Sequence, residues 1–408
     1  MDISAIGLNI SEEHRAAAET AHRFAMEVMR PAGITLDKMS DPRDVISRDS
    51  ILWKVYKKHR ELGFHKGAIP KAMGGIQEDV DALTAILVQE QLGYGDAGLA
   101  MSFGVSMMPF IIASIFAKPE IEGFVREYCE DTEGKMVGCW AFTEPDHGSD
   151  WILGAQPGFD QPQYAPSVRA IRNGDDYVLQ GQKSSFISNG AIATHGAIYV
   201  SLDRSRGMKG TGIAFLPLDL PGVSRGKPMD KLGLRSYSQG EIIFEDVRIP
   251  EWMMLIPDSE LALNISQTLF AAANGSLSLT FVGLAQAALD EALKYAKTRI
   301  QGGRPLIEHQ SIKLKLFNMF TMVESARAYA RQVALESAMQ PPGSAKHSLS
   351  AKILATETAY HVASEAIQIH GGYGMSREFF IEKLFRDARV GMLGEENNSL
   401  ALLGASYL

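Results

Sequence analysis

The prolines of this chain are concentrated in its middle third, where they exclude long helices. Eight of the 17 prolines fall in residues 139–250, a stretch of 112 of the 408 residues. The same stretch contains short runs rich in β-branched and aromatic residues, separated by turn formers such as those at 173–176. The runs lie at 177–179, 197–202, 212–216 and 241–244. This pattern predicts an antiparallel β domain, because proline ends helices and turn residues separate strands.

Helical patterns flank this middle stretch on both sides. Ser11 followed by two glutamates is a typical helix start, and we expect that first helix to end at Pro31. Apolar residues at helical spacing predict five further helices. These lie at 50–62, 80–92, 276–299, 311–339 and 348–370. The chain is therefore predicted to be α+β, with an N-terminal helical domain (1–138), a middle antiparallel β domain (139–250) and a C-terminal helical bundle domain (251–408).

Composition excludes several classes of protein. Hydrophobic residues make up 46% and charged residues 22%, as in ordinary globular proteins. No apolar run approaches the roughly 18 residues that a membrane span needs, so we expect no membrane insertion. The net charge is −8 without a Lys/Arg block, so nucleic acid is not an expected partner. Cys129 and Cys139 are the only cysteines, which favours a reducing compartment, the cytoplasm, and argues against a metal site.

Three segments of the middle region combine hydroxyls, glycines and cations on expected loops. Residues 143–150 read T-E-P-D-H-G-S-D, residues 183–190 read K-S-S-F-I-S-N-G, and residues 231–235 read K-L-G-L-R. Backbone N–H groups and hydroxyls on such loops can face a ligand. Each segment alone is equally compatible with a plain turn or a strand end.

Taken in order and spacing, these segments resemble the signatures of the acyl-CoA dehydrogenase family. Residues 143–150 fit T-E-P-x-x-G-S-D at every fixed position, and 186–190 resemble its W-I-T-N-G, with Phe186 for Trp and Ser188 for Thr. Residues 244–250 resemble F-x-D-V-x-x-P. A later signature is carried by Arg299, Gly303, Pro305, Leu306 and Gln310, and residues 368–374 resemble Q-x-x-G-G-x-G. The resemblance runs over nearly the whole chain and implies the three-domain fold of that family.

The family resemblance implies bound FAD and the oxidation of an acyl-CoA thioester to its trans-2-enoyl-CoA. A base removes the α-proton, and hydride leaves C3 for flavin N5. By resemblance, the flavin-side residues are Phe142, Thr143, Gly148, Ser149, Phe186 and Ser188. Thr143 and Ser188 would donate to the pyrimidine edge and N5, Phe142 and Phe186 would pack on the isoalloxazine, and Ser149 would contact cofactor or thioester.

The resemblance also implies a second group of cofactor residues, which hold the FAD diphosphate across a subunit interface. Arg299 and Gln310 match such positions, as do Gln368, Gly371 and Gly372. Without the surrounding motifs, Gly371 and Gly372 would be read as a helix C-cap and Arg299 as a solvated cation at a helix end.

Glu395 is the expected base, eight residues after Asp387 of the R-D-A-R segment at 386–389. The match degrades beside it, because Glu396 and Asn397 stand where the family has Gly and Thr. Glu396 could disturb the base or add a second carboxylate, whereas Asn397 is expected at the cofactor. The alternative is that 395–396 form a plain acidic turn. Asn274 stands where many members have an arginine and is expected to contact substrate, and residues 271–283 contain no acid that could serve as a helix-borne base.

The altered base segment leaves two other functions open. One is a flavoenzyme of the same fold with different chemistry, such as an oxidase, a monooxygenase or an elimination enzyme. The other is a non-catalytic partner subunit of a heteromeric dehydrogenase. Electron-transfer flavoprotein is the expected electron acceptor, and a homotetramer, or a heteromer with a homologue, is the expected assembly. Residues 156–166 look like an insertion, either a surface loop or a lid near the site.

Overall fold

The computed structural model describes residues 8–116, 118–341 and 343–408. Helices fill the region before the sheet, and a five-residue π-helical segment at Ala25–Met29 joins the first two. They are α1 (Glu12–Phe24), α2 (Arg30–Lys38), α3 (Pro42–Val45), α4 (Ile51–Glu61), α5 (Ala82–Gly95), α6 (Ala97–Ile115) and α7 (Pro119–Glu130). The helical prediction for this region is confirmed.

The prediction that the first helix ends at Pro31 is wrong. In the π-helical segment the Arg30 N–H bonds to the Ala25 carbonyl, five residues back, and α2 begins there. Pro31 therefore lies in the first turn of a new α-helical segment, where its missing N–H would be unused in any case.

Eight strands form one sheet in the middle of the chain. They are β1 (Gly138–Ala141), β2 (Arg169–Asn173), β3 (Asp176–Lys183), β4 (His195–Ser201), β5 (Thr211–Pro217), β6 (Val223–Arg225), β7 (Ile242–Pro250) and β8 (Met254–Ile256). The order is β6-β7-β3-β2-β4-β5-β8, and β1 also pairs with β4. Most pairs are antiparallel, as predicted, but β1 runs parallel to β4 over four residue pairs and β2 meets β4 in parallel. A short helix, α8 (Asp150–Leu153), follows β1.

The last part of the chain is a helical bundle. Its elements are α9 (Ser259–Thr298), a small hairpin of β9 (Ile300–Gln301) and β10 (Arg304–Pro305), α10 (Gln310–Met339), α11 (Ala345–His370), α12 (Phe380–Gly391) and α13 (Asn397–Ala405). The core between α9 and α11 is built from fully buried alanines. They are Ala285, Ala288, Ala292 and Ala296 of α9, and Ala355, Ala359, Ala363 and Ala366 of α11. Such small side chains let the two long helices approach closely.

A buried cluster of charges joins α12 to the rest of the molecule. The Lys383 ammonium lies 2.7 Å from an Asp96 oxygen and 2.5 Å from an Asp387 oxygen, and all three residues are buried. Asp387 also accepts a bond from the Leu234 N–H, and Arg386 pairs with Asp37 of α2. The R-D-A-R segment thus ties α12 to the N-terminal helices and to the K-L-G-L-R loop, which places the chain that follows it.

The domain limits at 138 and 250 stay a prediction, and strand β8 lies beyond the second of them. Among the described residues two helices, α6 and α9, are long and apolar enough to cross a membrane by length and composition, although no apolar run of that length was expected. In their most apolar windows, 56% of α6 and 72% of α9 is buried inside the protein, as in core helices.

Candidate functional site

Two of the predicted cofactor loops meet at one end of the sheet. One follows β1 and the other follows β3. The Ser184 N–H donates to the Thr143 carbonyl at 3.0 Å, and the two hydroxyls share a hydrogen bond of 2.8 Å. Phe142 and Thr143 are half-buried, while Gly148 and Ser149 are exposed. The structure therefore brings the first two sequence signatures together.

A fully buried ion pair between Lys183 and Glu144 holds the two loops together. The Lys183 ammonium lies 2.7 Å from a Glu144 oxygen and donates to the Phe142 carbonyl at 3.1 Å. Burial lowers the pKa of Lys183, and the Glu144 charge opposes that shift. Glu144 lies close enough to Asp146 and His147 for a shared metal ion, but its carboxylate already serves Lys183 and the Ser167 and Val168 N–H groups. The Glu144 carboxylate therefore has a structural role.

Asn189 holds the second loop in shape. It is fully buried at a φ of 60°, in the left-handed region that asparagine tolerates better than most residues. Its amide donates to the carbonyls of Ser102 and Gly138 at 2.9 and 3.1 Å and accepts from the Ser102 hydroxyl at 2.7 Å. The asparagine of the F-I-S-N-G signature thus fixes its loop against α6 and β1.

Phe186, three residues before Asn189, faces outward. Phe186 is 62% exposed, a large apolar surface left open beside a rigid loop. Ser188 is half-buried, and its side chain lies near that of the buried Tyr237. The side chains of Phe186 and Ser188 therefore remain available for a flat, partly polar ligand.

Glu395 lies on the turn between α12 and α13. Its φ is 49°, and its Oε2 atom is buried and has no hydrogen-bond partner among the described residues. Burial raises the pKa of Glu395 to about 7, whereas the Lys352 charge and the Asn274 amide act in the opposite direction. A carboxylate with this pKa is suited to accept a proton near neutral pH.

The neighbours of Glu395 resolve the departures from the family pattern. The Glu396 carboxylate accepts the N–H groups of Asn398 and Ser399, both at 2.9 Å, and so caps α13 instead of entering the site. Asn397 is buried, with its Oδ1 atom 2.9 Å from Lys352 Nζ and its Nδ2 donating to Thr356. Both ends of its amide are engaged within the chain, where Asn397 supports the turn, and its contact with the cofactor stays a prediction.

Asn274 of α9 faces Glu395, and Gly275 follows it in the helix. Asn274 is fully buried, and its Nδ2 donates to the Phe270 carbonyl while its Oδ1 lacks a partner among the described residues. Gly275 is buried too, yet a Cβ atom added there would meet nothing within 4 Å. Open space therefore lies beside the predicted substrate residue.

A shallow cleft lies along the face of α9 that carries Phe270 and Ala271. Its α9 wall includes Leu263, Gln267, Phe270 and Ala271, and Ala271 is one helical turn before Asn274. Other walls come from α8, from α13 and from the sheet. None of the residues lining this cleft carries a charge, so it suits an uncharged, partly apolar chain.

The insertion at 156–166 packs beside this region. The Phe159 carbonyl accepts the Met208 N–H at 2.9 Å, and the Phe159 ring lies 5.0 Å from that of Tyr164. The Gln156 amide donates to the Ser406 hydroxyl near the end of α13. The segment is thus folded onto the sheet region, and its function as a lid stays a prediction.

The second predicted cofactor group lies elsewhere. Arg299, Gln310, Gln368, Gly371 and Gly372 are all exposed. The Arg299 guanidinium lies 5.6 Å from the centre of the Tyr373 ring, which brings the fourth and fifth signatures side by side. Within the described ranges, no carboxylate lies within 4.0 Å of Arg299, so its charge is available to an anion.

Sequence reasoning missed Lys352 and Tyr237. Lys352 is fully buried and contacts the Glu395 turn, whereas Tyr237 is buried close enough to Glu395 for that charge to raise its pKa further. The signal for Lys352 was a lysine on the apolar stripe of α11, three residues after Leu349 and three before Ala355. Tyr237 carried no comparable signal.

Comparisons with known proteins cover most of the chain. Family models described as the N-terminal, middle and C-terminal domains of acyl-CoA dehydrogenase match residues 11–120, 139–247 and 263–399. The rat protein "Short-chain specific acyl-CoA dehydrogenase, mitochondrial" is 31% identical over 97% of this chain and 90% of its own length.

Solved structures agree with these sequence matches. Butyryl-CoA dehydrogenase from Megasphaera elsdenii has a TM-score of 0.85 at 27% identity and covers 100% of this chain and 99% of its own. A chain from a structure titled "Electron transferring flavoprotein of Acidaminococcus fermentans" has a TM-score of 0.84 at 27% identity, covering 99% and 98%.

Proposed function

Because the chain belongs to the acyl-CoA dehydrogenase family, and is thus an FAD-dependent oxidoreductase of acyl-CoA thioesters, we propose that Glu395 is its catalytic base. The observation that carries this proposal is the Glu395 carboxyl itself. It has a buried oxygen without a partner among the described residues, it faces Asn274, whose neighbour Gly275 borders open space, and it has a pKa of about 7. A surface acidic turn would have none of these properties.

In the reaction, Glu395 in its ionised form accepts the α-proton of the acyl thioester and holds it on the carboxyl group. FAD, when bound, supplies the acceptor for the hydride that leaves C3. The fixed loop of Asn189 presents Ser188 and Phe186, and the 142–149 loop presents Thr143. Hydroxyl donors placed before the reaction stabilise negative charge that develops at the cofactor.

The residues present fit an isoalloxazine ring at this position. Phe186 offers 62% of its surface, and the half-buried Phe142 lies on the neighbouring loop. The half-buried Thr143 and Ser188 add hydroxyls on these same two loops. Gly148 and Ser149 are exposed on the first loop, where backbone N–H groups and a hydroxyl can reach cofactor or thioester.

The diphosphate residues fit the same cofactor only if it is shared between chains. Lys352 contacts the Glu395 turn, and Gln368 lies 16 residues further along α11, roughly 24 Å away at 1.5 Å per residue. The short ribityl chain that joins the flavin to the diphosphate cannot span that separation. We therefore infer that Arg299, Gln310, Gln368, Gly371 and Gly372 serve the flavin site of a second copy.

An exposed apolar face supports such an assembly, which we propose to be a homotetramer. Leu314, Phe317 and Phe320 of α10 are 63%, 66% and 47% exposed and lie three residues apart, on one side of the helix. This face begins one turn after Gln310. A homologous chain in place of the second copy would give a heteromer.

Asn274 and Ser149 are proposed to contact the acyl-CoA thioester, and the uncharged cleft along α9 is proposed to admit its pantetheine part. Relatives named for short-chain and butyryl-CoA substrates make butyryl-CoA the first substrate to test. Electron-transfer flavoprotein is the proposed electron acceptor, in line with the similar chain from a structure bearing that name. Cys129 and Cys139 are free and buried, which favours the proposed cytoplasmic location.

The test of the base is the visible spectrum of the protein during anaerobic addition of butyryl-CoA and longer thioesters. The flavin absorbance should bleach with wild type and stay oxidised with Glu395→Gln at equal FAD content. Bleaching at the wild-type rate in Glu395→Gln would refute the base assignment. Oxygen consumption by the reduced wild-type protein at each turnover would favour an oxidase over a dehydrogenase.

The shared site is tested by mixing two inactive variants. Arg299→Ala retains the base, and Glu395→Gln retains the diphosphate contact, so a mixed assembly contains intact sites. Random pairing of equal amounts should restore about a quarter of wild-type activity. The control pairs Glu395→Gln with the double variant Arg299→Ala/Glu395→Gln, which contains no intact base. No recovery in the first mixture, despite proven exchange of subunits, would refute sharing.

A further inference from the structure

The turn that carries Glu395 is held in an uncommon backbone conformation. Its φ of 49° lies in the left-handed region, which a glutamate enters only when the surroundings determine it. Gly394 precedes it and Glu396 follows with a φ of −47°. The conformation at residue 395 must therefore be fixed by contacts from outside the turn.

Lys352 supplies these contacts from α11. Its ammonium donates to the Gly394 carbonyl at 2.6 Å, to the Glu395 carbonyl at 2.7 Å and to Asn397 Oδ1 at 2.9 Å. An ammonium has three hydrogens, and each has one acceptor here, so the group is fully satisfied. Lys352 is 0% exposed, so water cannot compete for these hydrogen bonds.

The charges around Glu395 make Lys352 the cation that faces it. Among the described residues, the groups that act on the Glu395 carboxyl are Lys352 from α11 and the neutral Asn274 amide from α9. Tyr237, from the loop before β7, senses the Glu395 charge and stays protonated because burial raises its pKa. Glu396 lies next in sequence, but its carboxylate is turned to the N-terminus of α13.

We propose that Lys352 is the positioning residue of the base. Its ammonium ties Gly394, Glu395 and Asn397 into one rigid turn, and its charge favours the ionised form of the Glu395 carboxyl. Lys352 does not touch the reacting atoms, because all three of its hydrogens are used by the turn. This inference rests on the proposed role of Glu395 as the base.

The experiment compares Lys352→Met and Lys352→Gln with wild type in the FAD-loaded protein. Both variants remove the charge, whereas Gln keeps amide donors. The rate of flavin reduction by a saturating thioester is measured from pH 6 to 9. In both variants the apparent pKa of the acid limb should rise by about one unit, which lowers the rate at pH 7 about fivefold. On the plateau at high pH wild-type Lys352 is largely neutral, because burial lowers its pKa to about 8, but its amine keeps two N–H donors. The plateau should therefore fall further in Met than in Gln, because Met leaves two carbonyls without donors.

Lys315→Gln is the matched control, since it removes the same charge from a lysine that pairs with Glu365 on α11 and does not contact the turn. It should leave the acid limb in place. An acid limb unchanged in both Lys352 variants would overturn the electrostatic part of the proposal, and an unchanged plateau in both would overturn the positioning part.

Hydrogen exchange of peptides covering 390–399 gives a readout that needs no substrate. Exchange there should accelerate in Lys352→Met, or in Lys352→Gln if Met does not fold, while peptides of α9 remain as in wild type. Exchange at the wild-type rate would overturn the positioning role whatever group serves as the base. Conversely, faster exchange in the Lys352 variants together with full activity of Glu395→Gln would overturn the base assignment. It would still support the role of Lys352 in holding the turn.

Discussion

Replacing Glu395 by glutamine should stabilise the protein at neutral pH, although it removes the proposed base. The pKa of Glu395 is raised from 4.5 in the unfolded chain to about 7 in the folded protein. Between these values the folded state binds more protons than the unfolded state, so wild-type stability falls as pH rises. Glutamine resembles the protonated carboxyl and carries no such dependence.

The size of the effect follows from the two pKa values. Between pH 5 and pH 7.5, wild type should lose about 2.5 kcal/mol relative to Glu395→Gln. For a chain of 408 residues that unfolds as one unit, the unfolding entropy is about 0.9 kcal/mol/K, so the difference in Tm should grow by about 3 °C. The comparison stops at pH 7.5 because the pKa of Lys352 is lowered to about 8, chiefly by burial, so Lys352 loses its charge above that pH.

The assay is thermal unfolding of both proteins at pH 5, 6, 7 and 7.5, with FAD in equal excess. Glu396→Gln is the control, because capping bonds lower the pKa of Glu396 and its contribution has the opposite sign. That variant should be less stable than wild type at pH 7.5 and approach it as the pH falls. A Tm difference between Glu395→Gln and wild type that does not change with pH would refute the assigned ionisation of Glu395.

Four other outcomes follow from the structure. Flavin reduction in wild type should rise with pH through an apparent pKa near 7, since Glu395 accepts a proton only when ionised; a flat profile from pH 6 to 8 would contradict this. Phe186→Ala should weaken FAD binding about tenfold, measured by equilibrium titration, while the Tm of the FAD-free protein is unchanged. Asn189→Ala should cost about 3 kcal/mol of stability in denaturant unfolding, and Asn189→Gly less, since glycine accepts a positive φ. Glu396→Ala should cost about 1 kcal/mol through the lost cap of α13 and leave the acid limb of the rate profile in place.

Sequence patterns were most informative where a local rule decides the structure. The breakers of residues 139–250 marked the sheet, and the signatures at 143–150 and 183–190 ended on adjacent loops. The asparagine of the second signature is explained by a positive φ and three buried bonds, which few other residues could supply. These features depend on the residue itself and its neighbours in the chain.

Features that depend on distant partners could not be predicted in this way. The parallel pairing of β1 with β4 joins segments more than 50 residues apart, and no turn signal specifies it. The helix passes Pro31 because a π-helical segment shifts the hydrogen bonds by one residue before the proline. Asn397 was assigned to the cofactor because the family has a polar residue there, but Lys352 and Thr356, far away in sequence, engage its amide.

The same distinction explains why the turn after α12 tolerates Glu396 in place of glycine. Glycine is required only at a positive φ or at a close approach, and residue 396 has neither, with a φ of −47° and a side chain that reaches two N–H groups of α13. The unusual φ falls on Glu395, where glycine would remove the carboxyl group. The backbone strain at Glu395 is instead offset by hydrogen bonds from Lys352 of α11, whose ammonium donates all three of its hydrogens to the turn. A helix cap and a buried ammonium thus preserve the backbone geometry of the segment that carries the base, although its sequence differs from the family pattern. The sequence can therefore depart from that pattern at Glu396 and Asn397 while the Glu395 carboxyl group keeps its position.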